Sequence, residues 1–279
     1  MNLLSNNPIS KYFFVVKRFT TLLFVFLAPC LVSCGCSDNN GYKEDIPDPV
    51  PTENPVAEWK LVFQDDFNGT SVNTADWSMY NSPGHAGNGL RRPGAFSVAD
   101  GVLSVTAQMI DGQLVSGGMA HKLNLAYGKF EARVRAGECE SKATSAVLLT
   151  WPQSERWPVD GENDFYETGT NDRRSFDTFI HYGANNNQFH KKHNFDVRDW
   201  LIVAMEWEPE WIKIYVNGVL QWTLTEKIAI PQVPHHLCIQ LDAFKKEMTG
   251  ITIMQVDWVK IYERVEQKKQ ETTLINNSF

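Results

Sequence analysis

The chain has 279 residues, of which 43% are hydrophobic and 21% are charged, and its formal net charge is −7 at pH 7. This length suits one large domain or two small ones. An acidic chain is a poor ligand for a phosphate backbone, so we expect no nucleic-acid partner.

The first 33 residues have the features of a targeting segment. They contain basic residues but no acidic residue, and an apolar run, FTTLLFVFLAPCLVS, occupies residues 19–33. This run is short for a membrane span but suits the core of a signal peptide. It leads into LVSC (31–34), which resembles the lipobox of bacterial lipoproteins. The resemblance implies cleavage after residue 33 and acylation of Cys34.

An acylated Cys34 would anchor the protein by lipid to the bacterial outer membrane or cell surface, on the periplasmic or extracellular side. The alternative is ordinary secretion with Cys34 unmodified. Residues 34–57 are rich in Pro, Asp, Glu and Asn, and such a composition predicts a disordered tether. We expect the protein to be a monomer.

Residues 58–264 are predicted to form one all-β domain, followed by a polar tail at 265–279. Hairpins are predicted around Asn217-Gly218 and Asp100-Gly101, because each pair separates two alternating arms. Long segments with helical periodicity are absent from the sequence. This pattern predicts a two-sheet antiparallel β-sandwich or jelly roll. Further period-two strands are KFEARVRA (129–136), WLIVAMEWEP (200–209) and MQVDWVKIYE (254–263).

One predicted strand, GENDFYET (161–168), carries three acidic residues, although acids are depleted from strands. Residues two apart share a face, so Glu162 and Asp164 should point the same way. By strict alternation Glu167 would face the other side. One extra residue, a β-bulge, would return it to the common face, and bulges are favoured beside active sites.

Two carboxyl groups on one wall of a cleft suit glycoside hydrolysis, which needs one ionised group and one protonated group. Neighbouring negative charges separate the pKa values of such groups. A solvated acidic edge strand and a calcium-binding loop are the alternatives. EF-hand spacing is absent, and an acidic edge does not explain the Trp157-Pro158 pair upstream.

The segment WPVDGENDFYE (157–167) resembles the WPxxGExDxxE signature of glycoside hydrolase family 16, in its bulged, laminarinase-like form. Resemblance to the family extends over about residues 58–264. It implies a concanavalin-like jelly roll with a concave sugar-binding cleft. The other matching segments are WKLVFQDDFNG (59–69), YGKFEARVR (127–135), FIHYG (179–183), DWLIVAMEWEPEWIKIYVNG (199–218) and MQVDWVKIYE (254–263).

By position, the resemblance implies that Glu162 is the nucleophile, Glu167 the general acid/base and Asp164 the partner of Glu162. The implied activity is a retaining, endo-acting hydrolase of a β-linked polysaccharide. A β-1,3- or mixed-linkage β-glucan is the favoured substrate. A non-catalytic glycan-binding protein at the cell surface, built on the same fold, is the competing class.

Aromatic residues near the acids are candidates for contact with sugar rings. Trp157 and Trp151 precede the acidic strand, and His181 and Tyr182 lie on the next one. No cofactor is expected to be required. A structural calcium ion is possible by resemblance, with Asp257 as a ligand, although a plain outward-facing strand Asp is an equal alternative.

Several positions depart from the family pattern. Asn163 stands where the family usually has Ile, Leu or Val, and we expect its side chain to face the inter-sheet core among polar partners. The loops GNGLRRPG (87–94) and SGGMAHK (116–122) replace the usual cleft segments. These loops suggest the alternative of an anionic galactan, as for agarases and carrageenases. The charges that would meet it are Arg91, Arg92, His121 and Lys122. The alternative, which we favour, is that these four are solvated loop residues.

Other possible sites are weak. His190 and His193 lack a third ligand for zinc, and no GxGxxG or GxSxG motif is present. Cys139 and Cys238 are the only cysteines of the predicted domain. A disulfide between them is permitted but not established by the sequence.

Overall fold

The computed structural model describes residues 58–139, 142–169 and 171–265. These residues fall within one structural unit, Glu53–Phe279. The predicted signal peptide at 1–33, Cys34, the tether at 34–57 and the tail beyond residue 265 lie outside them, so lipid anchoring stays a prediction. Within the described ranges no helix is long and apolar enough to cross a membrane.

The regular secondary structure of the described residues is almost entirely β-strand, and the helical content is limited to short 3-10 turns at His85–Gly87, Pro93–Ala95 and Lys227–Ala229. The strands, in chain order, are β1 (Glu58–Asp65), β2 (Trp77–Met79), β3 (Ser82–Pro83), β4 (Leu90–Arg91), β5 (Phe96–Ala99), β6 (Val102–Ile110), β7 (Gln113–His121), β8 (Gly128–Ala136), β9 (Thr144–Pro152), β10 (Glu162–Glu167), β11 (Phe176–Tyr182), β12 (Asn187–His193), β13 (Leu201–Glu208), β14 (Trp211–Val216), β15 (Val219–Leu224), β16 (His235–Ala243) and β17 (Thr252–Val265).

The strands form two antiparallel sheets. In the first, called the cleft sheet, the order is β2-β7-β16-β9-β10-β11-β12. In the second, called the outer sheet, the order is β5-β6-β17-β8-β13-β14-β15, and β1 pairs with the C-terminal half of β17. The short strand β4 runs parallel to β7. This arrangement confirms the predicted all-β, two-sheet antiparallel sandwich.

The two predicted hairpins are present with the expected backbone. Asn217 and Gly218 have φ angles of 49° and 78° between β14 and β15. Asp100 and Gly101 have φ angles of 53° and 72° between β5 and β6. Positive φ at both central residues is what the right-handed twist of a two-residue hairpin requires, and Asn, Asp and Gly tolerate it at low cost.

The hydrophobic core lies between the two sheets. Strand β8 alternates strictly between buried and partly exposed residues, because only one of its faces meets the core. Strand β9 differs, since almost all of its residues are buried. Its second face lines a cleft, where Val147 and Leu149 lie beside Glu167 and Asp164 of the neighbouring strand β10. Burial on both faces of a central strand therefore marks the functional side of the cleft sheet.

The two cysteines of the domain do not form a disulfide. Cys139 and Cys238 are both free and buried. The Cys139 sulfur accepts a hydrogen bond from Thr144 Oγ1 at 3.2 Å, and the Cys238 sulfur accepts one from the Tyr80 hydroxyl at 3.3 Å. Each thiol is thus held by a local hydroxyl group.

Candidate active site

The three acids of the GENDFYET segment lie on β10, between β9 and β11. The register shifts between Asp164 and Tyr166 against β9, and between Asp164 and Glu167 against β11. This irregularity is a β-bulge, and the extra residue brings Glu167 to the face that carries Glu162 and Asp164. All three acids line one cleft of about 420 Å³. The predicted bulge and the common face are confirmed.

Glu162 begins the strand immediately after a tight turn. Gly161 has a φ of +84°, and a Cβ atom there would lie 2.8 Å from Pro231 Cγ, so the turn requires glycine. The indole Nε1 of Trp157 donates a hydrogen bond of 2.6 Å to Glu162 Oε2. The turn and the indole together fix the carboxylate at the edge of the cleft.

Trp157 and Trp151 form an aromatic wall beside Glu162. Their rings are stacked, with centroids 6.1 Å apart and an interplanar angle of 11°. Trp157 remains 41% exposed, which is unusual for so large an apolar side chain. An exposed aromatic face beside a carboxylate is suited to packing against a sugar ring.

His181 lies opposite Glu162 on β11 and contacts the second acid. Its Nε2 atom is 3.1 Å from Asp164 Oδ2, and its Nδ1 atom is 2.7 Å from Asn186 Oδ1. One ligand atom from each of Glu162, Asp164 and His181 lies within 4.8 Å of the others. His181 therefore orients Asp164 from the neighbouring strand.

Burial is the main cause of the pKa shifts of all three acids. It raises the pKa of Glu162 well above its usual range, and the charge of Asp164 adds to this, while His181 and the Trp157 hydrogen bond oppose it. Burial and then the charge of Glu167 raise the pKa of Asp164, and a hydrogen bond with Glu162 opposes this. So many carboxyl groups cannot all ionise in one poorly solvated cleft.

Glu167 has the environment of a group that holds its proton near neutral pH. Burial, followed by the charges of Asp242 and Glu162, raises its pKa to about 7. Among the described residues no hydrogen-bond donor reaches its carboxyl group, whereas Glu162 has the indole of Trp157. The local donors thus favour Glu162 as the anion and Glu167 as the acid.

The sequence profile described as Glycosyl hydrolases family 16 matches residues 90–260. This range contains the bulged strand, both sides of the cleft and most of the outer sheet. The chain belongs to glycosyl hydrolases family 16.

Curated relatives of this family 16 chain have different named substrates. A glucan endo-1,3-β-glucosidase A1 from Niallia circulans is 26% identical over 79% of this chain, which spans 40% of that relative's length. A keratan-sulfate endo-1,4-β-galactosidase from Sphingobacterium multivorum is 24% identical over 91% of this chain and 68% of its own length.

Solved structures show the same fold. The laminarinase catalytic domain from Thermotoga maritima has a TM-score of 0.65 at 20% identity, over 75% of this chain and 100% of that domain. Porphyranase B from Zobellia galactanivorans has a TM-score of 0.64 at 18% identity, over 79% of this chain and 99% of the other. At these identities the likeness establishes the fold alone.

The structure does not bring every predicted sugar-binding residue of the family 16 chain to the cleft. Trp157 and His181 line it, and Trp151 stacks on Trp157. Tyr182 is not among the residues that line the cleft, because its ring stacks on Phe189 at 5.6 Å and packs against the core. Alternation along β11 places it on the face opposite to His181.

Asn163 faces the inter-sheet core and is fully buried, as predicted from its departure from the family pattern. Its Nδ2 donates to Thr150 Oγ1 at 3.0 Å, and that hydroxyl lies 3.2 Å from His235 Nδ1. The expected polar partners are therefore present. The Asn163 Oδ1 atom nevertheless has no hydrogen-bond partner in the described part of the chain.

This environment predicts that Asn163→Asp is strongly destabilising. The new carboxylate would be buried, and the nearby His235 cannot neutralise it because burial lowers the His235 pKa to about 4. We expect a loss of about 3–5 kcal/mol at pH 7. Because burial raises the folded-state pKa of the new acid, the loss should shrink as the pH falls towards its unfolded value of about 3.9.

Urea unfolding at pH 7 and pH 4.5 measures this effect. Asn163→Leu is the matched control, since it removes the unpaired oxygen without adding charge and leaves Thr150 bonded to His235. We expect that control to unfold within about 1 kcal/mol of the wild type at both pH values. Equal stability of Asn163→Asp and Asn163→Leu at pH 7 would contradict the prediction.

The two arginines of the 87–94 loop are not available to a charged substrate. Arg91 donates to Asp242 Oδ1 from Nε at 3.0 Å and from Nη2 at 2.6 Å. Arg92 donates to the carbonyl oxygens of Ser82 and Arg91, and it lines a separate cavity of about 560 Å³. One arginine is thus neutralised and the other lies outside the cleft.

The segment 116–122, predicted as a loop, belongs almost entirely to β7, and its two basic residues are likewise not available to a charged substrate. Burial lowers the pKa of His121 to about 4, so its ring is neutral at pH 7. Lys122 Nζ donates a hydrogen bond of 2.7 Å to the carbonyl oxygen of Thr74. None of the described residues that line the cleft is a lysine or an arginine.

Asp257, the predicted calcium ligand, is paired with an arginine in the structure. Asp257 Oδ2 lies 2.5 Å from Arg133 Nη1, so a guanidinium group already provides the positive charge at this carboxylate. A calcium ion needs a shell of six to eight oxygen ligands without a competing cation. Calcium binding at Asp257 stays a prediction.

Sequence reasoning missed Asp242, which lies on β16 and lines the cleft. Its strand, HHLCIQLDA, has polar residues at alternate positions within an otherwise apolar run: Gln240 and Asp242 lie on one face. A period-two polar pattern in a buried strand indicates a face that meets a polar cleft. Asn186, Gln188, His85 and Phe244 also line the cleft, but their loops and short strands carry no comparable signal.

Proposed function

We propose that the chain is a retaining, endo-acting glycoside hydrolase that cleaves a neutral β-1,3- or mixed-linkage β-glucan. One observation carries this proposal: the bulge in β10 places Glu162, Asp164 and Glu167 in a single cleft, with a pKa of about 7 for Glu167. The endo mode follows from a cleft on an open sheet face, along which a polysaccharide can lie.

In the first half of the reaction, Glu162 attacks the anomeric carbon of the sugar and Glu167 protonates the departing glycosidic oxygen. The hydrogen bond from Trp157 favours the ionised form of Glu162, against the effect of burial, and aims the carboxyl group into the cleft. Asp164 contacts both Glu162 and His181, so its carboxyl group can follow the change in charge on the nucleophile. The product of this half is a covalent glycosyl ester on Glu162.

In the second half, water replaces the leaving group. Glu167, now ionised, accepts a proton from that water, and the water oxygen attacks the anomeric carbon as the ester bond to Glu162 breaks. Two inversions at the same carbon give a product with the configuration of the substrate. The pKa of about 7 suits a group that must act as an acid and then as a base near neutral pH.

The charge of the cleft favours a neutral polysaccharide. Among the described residues, four acids line it and no lysine or arginine does, and the guanidinium of Arg91 is bound to one of these acids, Asp242. The sulfate groups of an anionic galactan would meet negative charge here without a free cation to pair with, which is costly in a partly desolvated site. The glucan endo-1,3-β-glucosidase among the relatives supports the same substrate class.

Two relatives support a second candidate, an anionic galactan. Their names refer to keratan sulfate and porphyran, and their sequence or fold resembles this chain over most of its length. A glycan-binding protein without activity is the third candidate. Binding alone does not require three acids on a bulged strand, so we place it last.

Incubation with laminarin, lichenan, agarose, porphyran, κ-carrageenan and keratan sulfate, followed by product sizing, tests the proposal. We expect oligosaccharides from laminarin or lichenan, and anomeric NMR should detect the β-anomer first. Activity confined to agarose, porphyran, κ-carrageenan or keratan sulfate would contradict the proposed β-glucan substrate. Tight binding of one polysaccharide without cleavage of any would contradict the proposal that the protein is a hydrolase.

A further inference from the structure

The register of the cleft sheet places Asp242 at the acid/base end of the catalytic strand. Across β9, Cys238 lies in the row of Asp164, and Gln240 lies in the row of Glu167. Asp242 pairs with Ser145, one row further in the direction that leads from Glu162 to Glu167. One row is two residues, or about 6.7 Å along the strand. Trp151 and Trp157 lie at the opposite end, beside Glu162.

Asp242 presents one free oxygen to the cleft. Both hydrogen bonds from Arg91 end on Oδ1, at 3.0 and 2.6 Å, and no donor among the described residues reaches Oδ2. Oδ2 is not among the unpaired atoms that are fully buried, so it contacts the solvent of the cleft. The guanidinium of Arg91 is itself fixed over the Tyr80 ring, 5.4 Å from its centroid. The pair therefore holds an acceptor oxygen in a fixed position at the cleft.

An aromatic pair stands beside this acceptor. Phe244 follows two residues after Asp242, and its ring meets that of His85 edge to face, with centroids 5.0 Å apart. Both side chains line the same cleft as the acids. A carboxylate oxygen next to an aromatic face provides the two contacts that a neutral sugar needs: a hydrogen-bond acceptor for its hydroxyls and a surface for its C–H face.

We propose that Asp242, positioned by Arg91, forms with Phe244 a binding subsite for the sugar unit on the leaving-group side of the cleaved bond. The nucleophile, the anomeric carbon and the departing oxygen are nearly in line during displacement, so the leaving sugar lies beyond Glu167 as seen from Glu162. That is where the register places Asp242. This inference rests on the proposed hydrolase function.

The electrostatics agree with this position. Apart from burial, the charge of Asp242 contributes most to the raised pKa of Glu167. This agrees with the position of Asp242 one row beyond Glu167 in the register of the sheet. The same subsite would hold the leaving sugar in the first half of the reaction and an acceptor sugar in the second.

Transfer of the sugar to an acceptor separates the effect of this subsite from an effect on the pKa of Glu167. When an acceptor replaces water, its hydroxyl oxygen bonds to the anomeric carbon, its proton passes to Glu167, and the ester bond to Glu162 breaks to release the carboxylate. Glu167 is the base for both water and the acceptor, so a change in its pKa cancels from the ratio of transfer to hydrolysis. A subsite for the acceptor affects that ratio directly.

The experiment uses 4-nitrophenyl β-laminaribioside as donor and laminaritriose as acceptor. It measures the ratio of transfer product to free laminaribiose for Asp242→Asn and Phe244→Ala. We expect the ratio to fall about tenfold or more in Asp242→Asn, because a charged acceptor for a sugar hydroxyl is lost. It should fall in the same direction in Phe244→Ala, which leaves the Asp242–Arg91 pair intact and decides the question alone if Asp242→Asn does not fold.

Asp196→Asn is the matched control, because it removes the charge of another arginine-paired aspartate, which does not line the cleft. Its ratio should equal that of the wild type. An unchanged ratio in Phe244→Ala and in any folded Asp242→Asn, or an equal fall in the control, overturns the subsite while the hydrolase stands. If the wild-type protein releases no nitrophenol and cleaves no polysaccharide, the proposed hydrolase function fails, and the proposed subsite fails with it.

Discussion

Glu162→Gln should abolish hydrolysis while preserving substrate binding. The amide cannot form the glycosyl ester, so we expect kcat to fall by at least about 10⁴-fold, the scale seen when an enzyme loses its covalent nucleophile. The Gln carbonyl oxygen can still accept the hydrogen bond from Trp157, so the cleft should keep its shape. The measurement combines steady-state kinetics on laminarin or lichenan with affinity electrophoresis in the same polysaccharide.

Glu210→Gln provides the control for this experiment, since Glu210 is exposed and pairs with Lys227 away from the cleft. Its kcat should match that of the wild type. A Glu162→Gln protein that retains more than a few per cent of wild-type kcat would show that another group is the nucleophile.

Glu167→Ala should separate the two halves of the reaction. Polysaccharide cleavage needs a proton for its leaving oxygen, so we expect a loss of about 10²–10⁴-fold. An aryl glycoside releases a phenolate that needs no proton, so its first step should survive. The covalent intermediate then accumulates because no base activates water, and a burst of nitrophenol should precede a slow steady state.

Azide and pH provide the checks on this assignment. A small anion that enters the space left by Glu167→Ala needs no base, so added azide should restore turnover and yield a β-glycosyl azide. In the wild type, kcat/KM should fall as the pH rises through about 7, where Glu167 loses its proton. The fall should be absent from Glu167→Ala. Failure of azide to restore turnover, together with an unchanged alkaline fall, would assign the acid role to another residue.

The hairpins show how far local sequence determines the fold. Asn217-Gly218 and Asp100-Gly101 are turns because of the backbone conformations that these residues tolerate, and the structure has positive φ at all four. Period-two segments such as 129–136 are strands because one face of the sheet is buried and the other is not. Both effects act over a few residues, so the sequence alone is sufficient to predict them.

The acids on β10 were predictable for the same reason. A spacing of two and then three residues places Glu162, Asp164 and Glu167 on one face only if the strand is bulged, and the register shifts confirm the bulge. The direction of the Asn163 side chain was predictable as well, since Asn163 alternates with the acids along the strand and must therefore face the core. These conclusions need strand geometry and no knowledge of neighbouring strands.

Predictions that depended on contacts with residues of other strands agreed less well with the structure. Tyr182 was grouped with His181 because both lie near the acids in sequence, yet consecutive strand residues point to opposite faces. The basic loop residues were predicted as possible ligands for anionic groups. Arg91 instead binds Asp242, which is 151 residues distant in the chain. No local pattern indicates which carboxylate a given guanidinium will meet.

The sequence by itself therefore determined the all-β class, the principal turns and the common face of Glu162, Asp164 and Glu167. These depend on backbone preferences and on the two-residue period of a strand. Only the tertiary structure decided the pKa of Glu167, the charge of the cleft and the position of Asp242. Each of these depends on burial and on charges brought together from distant strands, because desolvation and Coulomb energies are set by distance in space and not by separation along the chain.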